Sequence, residues 1–240
     1  MRLIIAEVGQ NHNGDMSLAK ELILAAKESG ADVAKFQLFD VERTFSELYK
    51  KNPEIKERWY EYHCKTQLSK DQVFALAEEC HKIGIEFMAS SFDTIRVAWL
   101  QEIGVKRHKV ASRSVYDNSL LEALTKTEKP LIISLGMWSK KRFPKVKTKA
   151  SVDFLYCISK YPTELTDLHL KKVDFNKYGG FSDHTIGISA AICALSRGAM
   201  IVEKHFTLNK NADGPDHAIS MTQDELQQIH QFRNELDQML

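Results

Sequence analysis

Eight short runs rich in apolar and β-branched residues recur along the chain, each separated from the next by residues of another character. They are 3–8 (LIIAEV), 32–37 (DVAKFQ), 85–89 (IEFMA), 107–111 (RHKVA), 131–135 (LIISL), 152–157 (VDFLYC), 179–182 (GGFS) and 200–204 (MIVEK). Several of the intervals carry a helical period. Residues 17–29 place apolar side chains at 18, 22, 25 and 26, with Gly30 as the stop. Residues 69–83 open on Ser69 and Gln72, a capping box, and end at Gly84; residues 186–197 end at Gly198; Thr222 and Glu225 open the last helix. Eight strands alternating with helices over 240 residues predict a (β/α)8 TIM barrel, one domain spanning 1–240. A doubly wound open sheet is the alternative, and it is disfavoured because GQNHNG after the first run is not the G-x-G-x-x-G of a dinucleotide fold.

Two connections depart from the pattern. Residues 138–150 hold Pro144 and a run of basic residues, lack an apolar period, and predict an irregular, solvated loop. Residues 40–66 form a long insertion after the second strand, with Trp59, Tyr60 and Tyr62, placed to act as a lid or an interface. The net charge of +1 gives no reason to expect nucleic acid or a membrane as partner. No apolar run approaches the ~18 residues of a membrane span, and Glu7 interrupts the first run too early for a signal peptide. Four scattered cysteines, Cys64, Cys80, Cys157 and Cys193, form no CxxC and fit reduced thiols in a cytoplasmic protein.

In a barrel of this kind chemistry sits at the C-terminal ends of the strands. Those ends read Glu7; Lys35 and Gln37; Ser90 and Ser91; Lys109 and Ser112; Ser134; Tyr161; Ser182, Asp183 and His184; then Glu203, Lys204 and His205. Lys35 and Lys109 can neutralise a phosphate or carboxylate, and the serine hydroxyls can donate to its oxygens. A phosphorylated anionic small molecule fits that set, although a single serine at a strand end is usually a turn former. His184 and His205 follow neighbouring strands, an arrangement that suits a divalent transition ion as well as two ordinary hydrogen-bonded histidines. The spacing leaves both readings open.

The segments IAEVGQNHNGD, ADVAKFQ, KPLIISLGM, YCISKYPT, FSDHTIGI and EKHFTLNKNADGPDHAIS closely resemble the sialic acid synthase family, in order and over essentially the whole chain. That resemblance implies condensation of phosphoenolpyruvate with an N-acetylated hexose to a nine-carbon 2-keto sugar acid. It also implies a divalent metal, usually manganese, with His184 and His205 as ligands. Lys35, Ser90, Lys109, Ser112 and Ser182 match positions that hold phosphoenolpyruvate. Gln37, Ser134, Tyr161 and Asp216 match positions lining the sugar site, with Ser134 close to both substrates. Glu7 and Glu203 fall in family motifs and are expected in a supporting role, orienting a lysine or a histidine.

Three positions depart from the family pattern. Ser114 stands where a glutamate is expected, Arg113 replaces a glycine and is expected to bring positive charge to the sugar, and Ser159 replaces an asparagine. The sequence given stops after the barrel, whereas typical bacterial members carry an antifreeze-like domain that completes the partner's sugar site. A homodimer or a separate antifreeze-like protein is therefore the expected partner. These departures leave room for a different aldehyde acceptor, or for a barrel that binds a sugar phosphate without turnover.

Overall fold

All eight expected runs are strands in the computed structural model, which describes residues 2–240. They are β1 (Leu3–Gly9), β2 (Val33–Leu38), β3 (Glu86–Ser91), β4 (His108–Val110), β5 (Leu131–Ser134), β6 (Val152–Cys157), β7 (Gly180–Asp183) and β8 (Ile201–His205). Each pairs in parallel with its neighbours, and β8 pairs with β1, closing a barrel in sequence order. The open-sheet alternative is thereby excluded. The helices are α1 (Met16–Glu28), α2 (Val41–Lys51), α3 (Pro53–Thr66), α4 (Lys70–Ile83), α5 (Thr94–Ile103), α6 (Asn118–Thr125), α7 (Ser189–Ser196) and α8 (Gln223–Met239).

Local chemistry explains where the helices begin. Asp15, Asp40, Asp93 and Asp117 each accept backbone N–H bonds at the start of α1, α2, α5 and α6. Both expected capping boxes form, Ser69 with Gln72 and Thr222 with Glu225. The insertion after β2 is the helical pair α2–α3, while the chain between β5 and β6 forms no helix. There Trp138 stacks on Tyr116 at 4.9 Å, and Phe143 packs on Phe154 and Tyr178 at 5.0 and 4.7 Å. These aromatics do the covering that a helix does elsewhere in the barrel.

Strand alternation divides the core. Outward residues such as Ile4, Ala6, Ala34 and Phe36 pack with Leu22, Ile23, Leu76 and Leu226 of the helices. Residues of the opposite phase, Ile5, Val33, Met88, Ile132, Leu155 and Ile201, form a closed apolar plug inside the barrel. Among the described residues no helix is long and apolar enough to cross a membrane.

Two buried histidines tie this fold to pH. Burial holds His12 and His108 down at about 4, so the folded state keeps them neutral where the unfolded chain, at the ordinary histidine value of 6.5, takes up protons. The unfolded state binds more protons between those values, so stability is whole above about 6.5 and falls as pH drops toward 4, at about 1.4 kcal/mol per pH unit for each group. The urea midpoint is expected to fall steadily between pH 7 and pH 4.5; a flat midpoint over that range contradicts this account.

Candidate active site

The site begins two residues above the apolar plug. Side chains on one face of a strand recur every second residue, so the phase set by Ile5, Val33, Met88, Ile132, Leu155 and Ile201 brings Glu7, Lys35, Ser90, Ser134, Cys157 and Glu203 inward next. Lys109 and Ser182 join them from β4 and β7. One step further are Gln37, Ser112, His184 and His205, with Tyr161 at the mouth. The pocket encloses about 410 Å3, part of it open to solvent. Glu7, Lys35, Gln37 and Ser90 thus lie within strands that run a residue or more past their expected ends.

The floor is a network of paired charges. Lys35 Nζ lies 2.6 Å from Glu7 Oε2 and 3.5 Å from Glu203 Oε2, and Lys109 Nζ lies 3.5 Å from Glu203 Oε1. All four groups are buried, and buried charges persist only when paired. Burial by itself depresses Lys35, but Glu203 and Glu7 more than offset it and raise its pKa. Lys109 has weaker support from Glu203, and burial lowers it. Burial opposes ionisation of Glu203 as well, yet Lys109 and Lys35 hold it below the usual carboxylate range. The hydroxyls complete the network: Lys35 donates to Ser90 Oγ at 3.2 Å, Lys109 to Ser134 Oγ at 2.7 Å, and Ser182 to Glu203 Oε1 at 2.9 Å. Two ammoniums balance two carboxylates, and a ligand anion would tip that balance toward the lysines.

Above the floor, the rings of His184 and His205 stand 5.8 Å apart between centroids, with the Tyr161 ring tilted at 36° over His184 at 4.1 Å. His184 Nδ1 lies 2.8 Å from the Ile158 carbonyl oxygen, which only accepts, so Nδ1 carries the proton and Nε2 keeps a lone pair. Burial, aided by the neighbouring His205, pulls His184 down to about 3, leaving it neutral. His205 Nδ1 is buried without a hydrogen-bond partner, 3.7 Å from Asp216 Oδ2. A neutral imidazole with an oriented lone pair beside an orphaned ring nitrogen fits a divalent transition ion whose remaining positions go to water or substrate oxygens. Among the described residues no group of three or more His, Cys, Asp or Glu is placed to hold an ion, so two protein ligands are the most this site offers.

Two glycines make room for these side chains. A Cβ on Gly136 would meet Ser159 Oγ at 2.5 Å, Cys157 Sγ at 2.9 Å and Ser112 Oγ at 3.0 Å. The Gly136 N–H instead donates to Ser112 Oγ at 3.0 Å. Gly9, at φ +56 beyond a β-bulge in β1, leaves space that Gln37 Nε2 and His205 Cε1 approach within 3.3 and 3.5 Å of its missing Cβ.

Three expectations are corrected or sharpened. Arg113 does not line the pocket. Its guanidinium donates to the Thr44 carbonyl at 3.1 Å and stacks on Phe45 and Phe92 at 4.7 and 5.7 Å, pinning α2 against the barrel. Ser114 turns into a buried 3-10 turn and leaves the expected glutamate position without a carboxylate. Asp216 reaches the site only beside His205, off the pocket floor. Glu203, expected in a supporting role, bridges both lysines at 3.5 Å. Its neighbour Lys204 faces the other way and pairs with Asp183 at 3.1 Å.

The model of the NeuB family matches residues 22–240. The chain belongs to the NeuB family. This NeuB-family barrel is 35% identical to N,N'-diacetyllegionaminic acid synthase of Legionella pneumophila, over 99% of this chain and 72% of that protein. It is 36% identical to N-acetylneuraminate-9-phosphate synthase of Homo sapiens, over 94% of this chain and 67% of that protein. Among solved structures, the N-acetylneuraminic acid synthetase of Leptospira borgpetersenii, in complex with citrate, superposes with a TM-score of 0.89 at 30% identity, covering 99% of this chain and 84% of that one.

Proposed function

We propose that this NeuB-family chain condenses phosphoenolpyruvate with the open-chain aldehyde of an N-acetylhexosamine-type aldose, giving a sialic-acid-like nine-carbon 2-keto sugar acid and phosphate. The relatives are named as synthases of N,N'-diacetyllegionaminic acid and of N-acetylneuraminate 9-phosphate, so the product differs among them. The observation that carries the reading is the floor of the pocket: two buried ammoniums, Lys35 and Lys109, ringed by Ser90, Ser112, Ser134 and Ser182 directly beneath two histidines.

In the reaction, C3 of phosphoenolpyruvate attacks the aldehyde carbon and a C–C bond forms. The aldehyde oxygen takes up a proton, water adds at C2 and loses one, and the C2–O bond to the phosphate group then breaks, the C2 hydroxyl giving its remaining proton to the departing phosphate and leaving the ketone. Lys35 and Lys109 hold the phosphate and carboxylate, and the serine hydroxyls donate to the same oxygens, which fixes the enol in line with the aldehyde. Glu7 and Glu203 keep the lysines charged and placed between turnovers. Gln37, Tyr161 and Asp216 face the aldose. His184 and His205 would hold a divalent ion, manganese by the family resemblance, which supplies Lewis-acid polarisation of the aldehyde oxygen.

The test is phosphate release from phosphoenolpyruvate with manganese and a panel of N-acetylated aldoses, assayed together with 2-keto acid. Equal amounts of both, seen only when an aldose is present, are expected. No release with any aldose overturns the proposal.

A further inference from the structure

The insertion α2–α3 reaches the charged floor through two side-chain amides, Gln37, which faces the aldose, and Gln10, which the proposed chemistry does not use. Glu7 is the fixed point. As a carboxylate it only accepts, and its Oε1 takes a hydrogen bond from Gln37 Nε2 at 3.0 Å. The Gln37 carbonyl oxygen must then face away, and there Gln10 Nε2 donates to it at 3.4 Å. The Gln10 carbonyl oxygen is turned outward in consequence and needs a donor. It finds the hydroxyl of Thr66, the last residue of α3, at 3.2 Å. That hydroxyl also reaches the Tyr62 carbonyl at 2.8 Å, a proton shared between two acceptors as is common at helix ends. The chain of bonds has one consistent direction, and the charge on Glu7 sets it. Turning either amide over would place two oxygens, or two N–H groups, face to face.

From this we infer that Thr66 and Gln10 are positioning residues that lock the Gln37 amide in one orientation, so that its remaining N–H, and never its carbonyl, is presented to the acceptor aldose. The inference rests on the synthase reading for the identity of that acceptor. Two further contacts hold the relay in place. The Tyr62 hydroxyl of α3 lies within donating distance of the Gln10 backbone carbonyl, at 3.0 Å, and of Asn13 Oδ1, at 3.1 Å, fastening the loop after β1 to the insertion. The open space at Gly9 lets the Gln37 amide stand against Glu7. The Lys35 ion pair uses the other oxygen of Glu7, Oε2, so loss of the relay frees Gln37 while leaving Lys35 paired. The acceptor side of the pocket is therefore tuned from the insertion independently of the anion side.

Thr66→Val keeps the shape and removes the hydroxyl. The expected result is a rise of about fivefold in KM for the aldose, the effect of one neutral hydrogen bond, with KM for phosphoenolpyruvate within about twofold of the parent because charge-assisted contacts to the lysines dominate it. Thr66→Ser is expected to restore the parent values. A readout free of turnover is the side-chain 15N–1H resonances of Gln37. They are expected to move in Thr66→Val, although residue 66 does not touch residue 37, and to return in Thr66→Ser. Gln10→Met gives the same displacement without altering α3. If the Gln37 resonances stay in place in both Thr66→Val and Gln10→Met, the relay is overturned. A rise in both KM values together overturns the separation of the two sides. If the parent protein turns over no aldose, the synthase reading falls, while the resonances still decide whether the relay exists.

Discussion

Replacing Glu203 by glutamine is expected to lower the unfolding midpoint by about 10 °C and to turn inorganic phosphate into a much stronger stabiliser than it is of the parent protein. Glutamine matches glutamate in size, so no cavity opens and the effect isolates the charge. Glu203 lies 3.5 Å from both Lys35 Nζ and Lys109 Nζ. Without it, two buried ammoniums face each other with only Glu7 to balance them. Breaking a buried pair on one side costs about 3–5 kcal/mol, because the remaining charge stays desolvated and unpaired. For a chain of this length each kcal/mol moves the midpoint by about 2–4 °C. Inorganic phosphate can replace the missing negative charge, and a ligand that binds only the folded state stabilises it by mass action. Thermal melts of parent and variant with and without phosphate read both effects. A variant that melts with the parent, or that gains no extra protection from phosphate, removes the charge-balanced floor as the organising feature of the site.

How much of this was open to the sequence follows from strand geometry. The eight strands announced themselves because a parallel barrel buries both strand faces, which makes each run apolar and short enough to see. Lys35, Ser90, Ser134 and Ser182 could be assigned to the mouth because they stand where those runs end. Glu203 could not be told from Lys204 by position alone. Deciding which faces the lumen requires the phase of β8, and Ile201, a member of the internal plug, supplies it only when the other strands show what the plug contains. Once Ile5, Val33 and Ile201 share a layer, Glu7, Lys35 and Glu203 must share the next. Arg113 was misread for a different reason: a charged residue beside a site serine says nothing about which way a long side chain turns, and Phe45, Phe92 and the Thr44 carbonyl offer it a closed berth on α2. The link between Gln10, inside the IAEVGQNHNGD segment, and Thr66 left no mark. Their partnership joins residues 56 apart through a loop and a helix end, and neither carries a charge or a motif that points to the other.

His184→Gln and His205→Gln are each expected to reduce metal-stimulated phosphate release by about 100–1000-fold, since Lewis-acid polarisation is worth several kcal/mol and each 1.36 kcal/mol is tenfold in rate. The two substitutions should fail in distinguishable ways. His184 is oriented by its Nδ1–H bond to the Ile158 carbonyl and by the Tyr161 ring packed against it at 4.1 Å, so its lone pair is aimed before any ion arrives. His205 carries the orphaned Nδ1, with Asp216 3.7 Å away. A carboxylate at that distance favours a cation at the ring and makes Asp216→Asn the milder companion substitution, at about 10–100-fold in metal affinity, as for other residues that orient a ligand. The readout that separates these losses from misfolding is the thermal shift on adding manganese to the phosphate-loaded protein. It should be large in the parent, smaller in Asp216→Asn, and absent in both histidine variants at an unchanged midpoint without metal. A histidine variant that keeps the full manganese shift rules that ring out as a ligand, and if both keep it, the ion does not sit between β7 and β8.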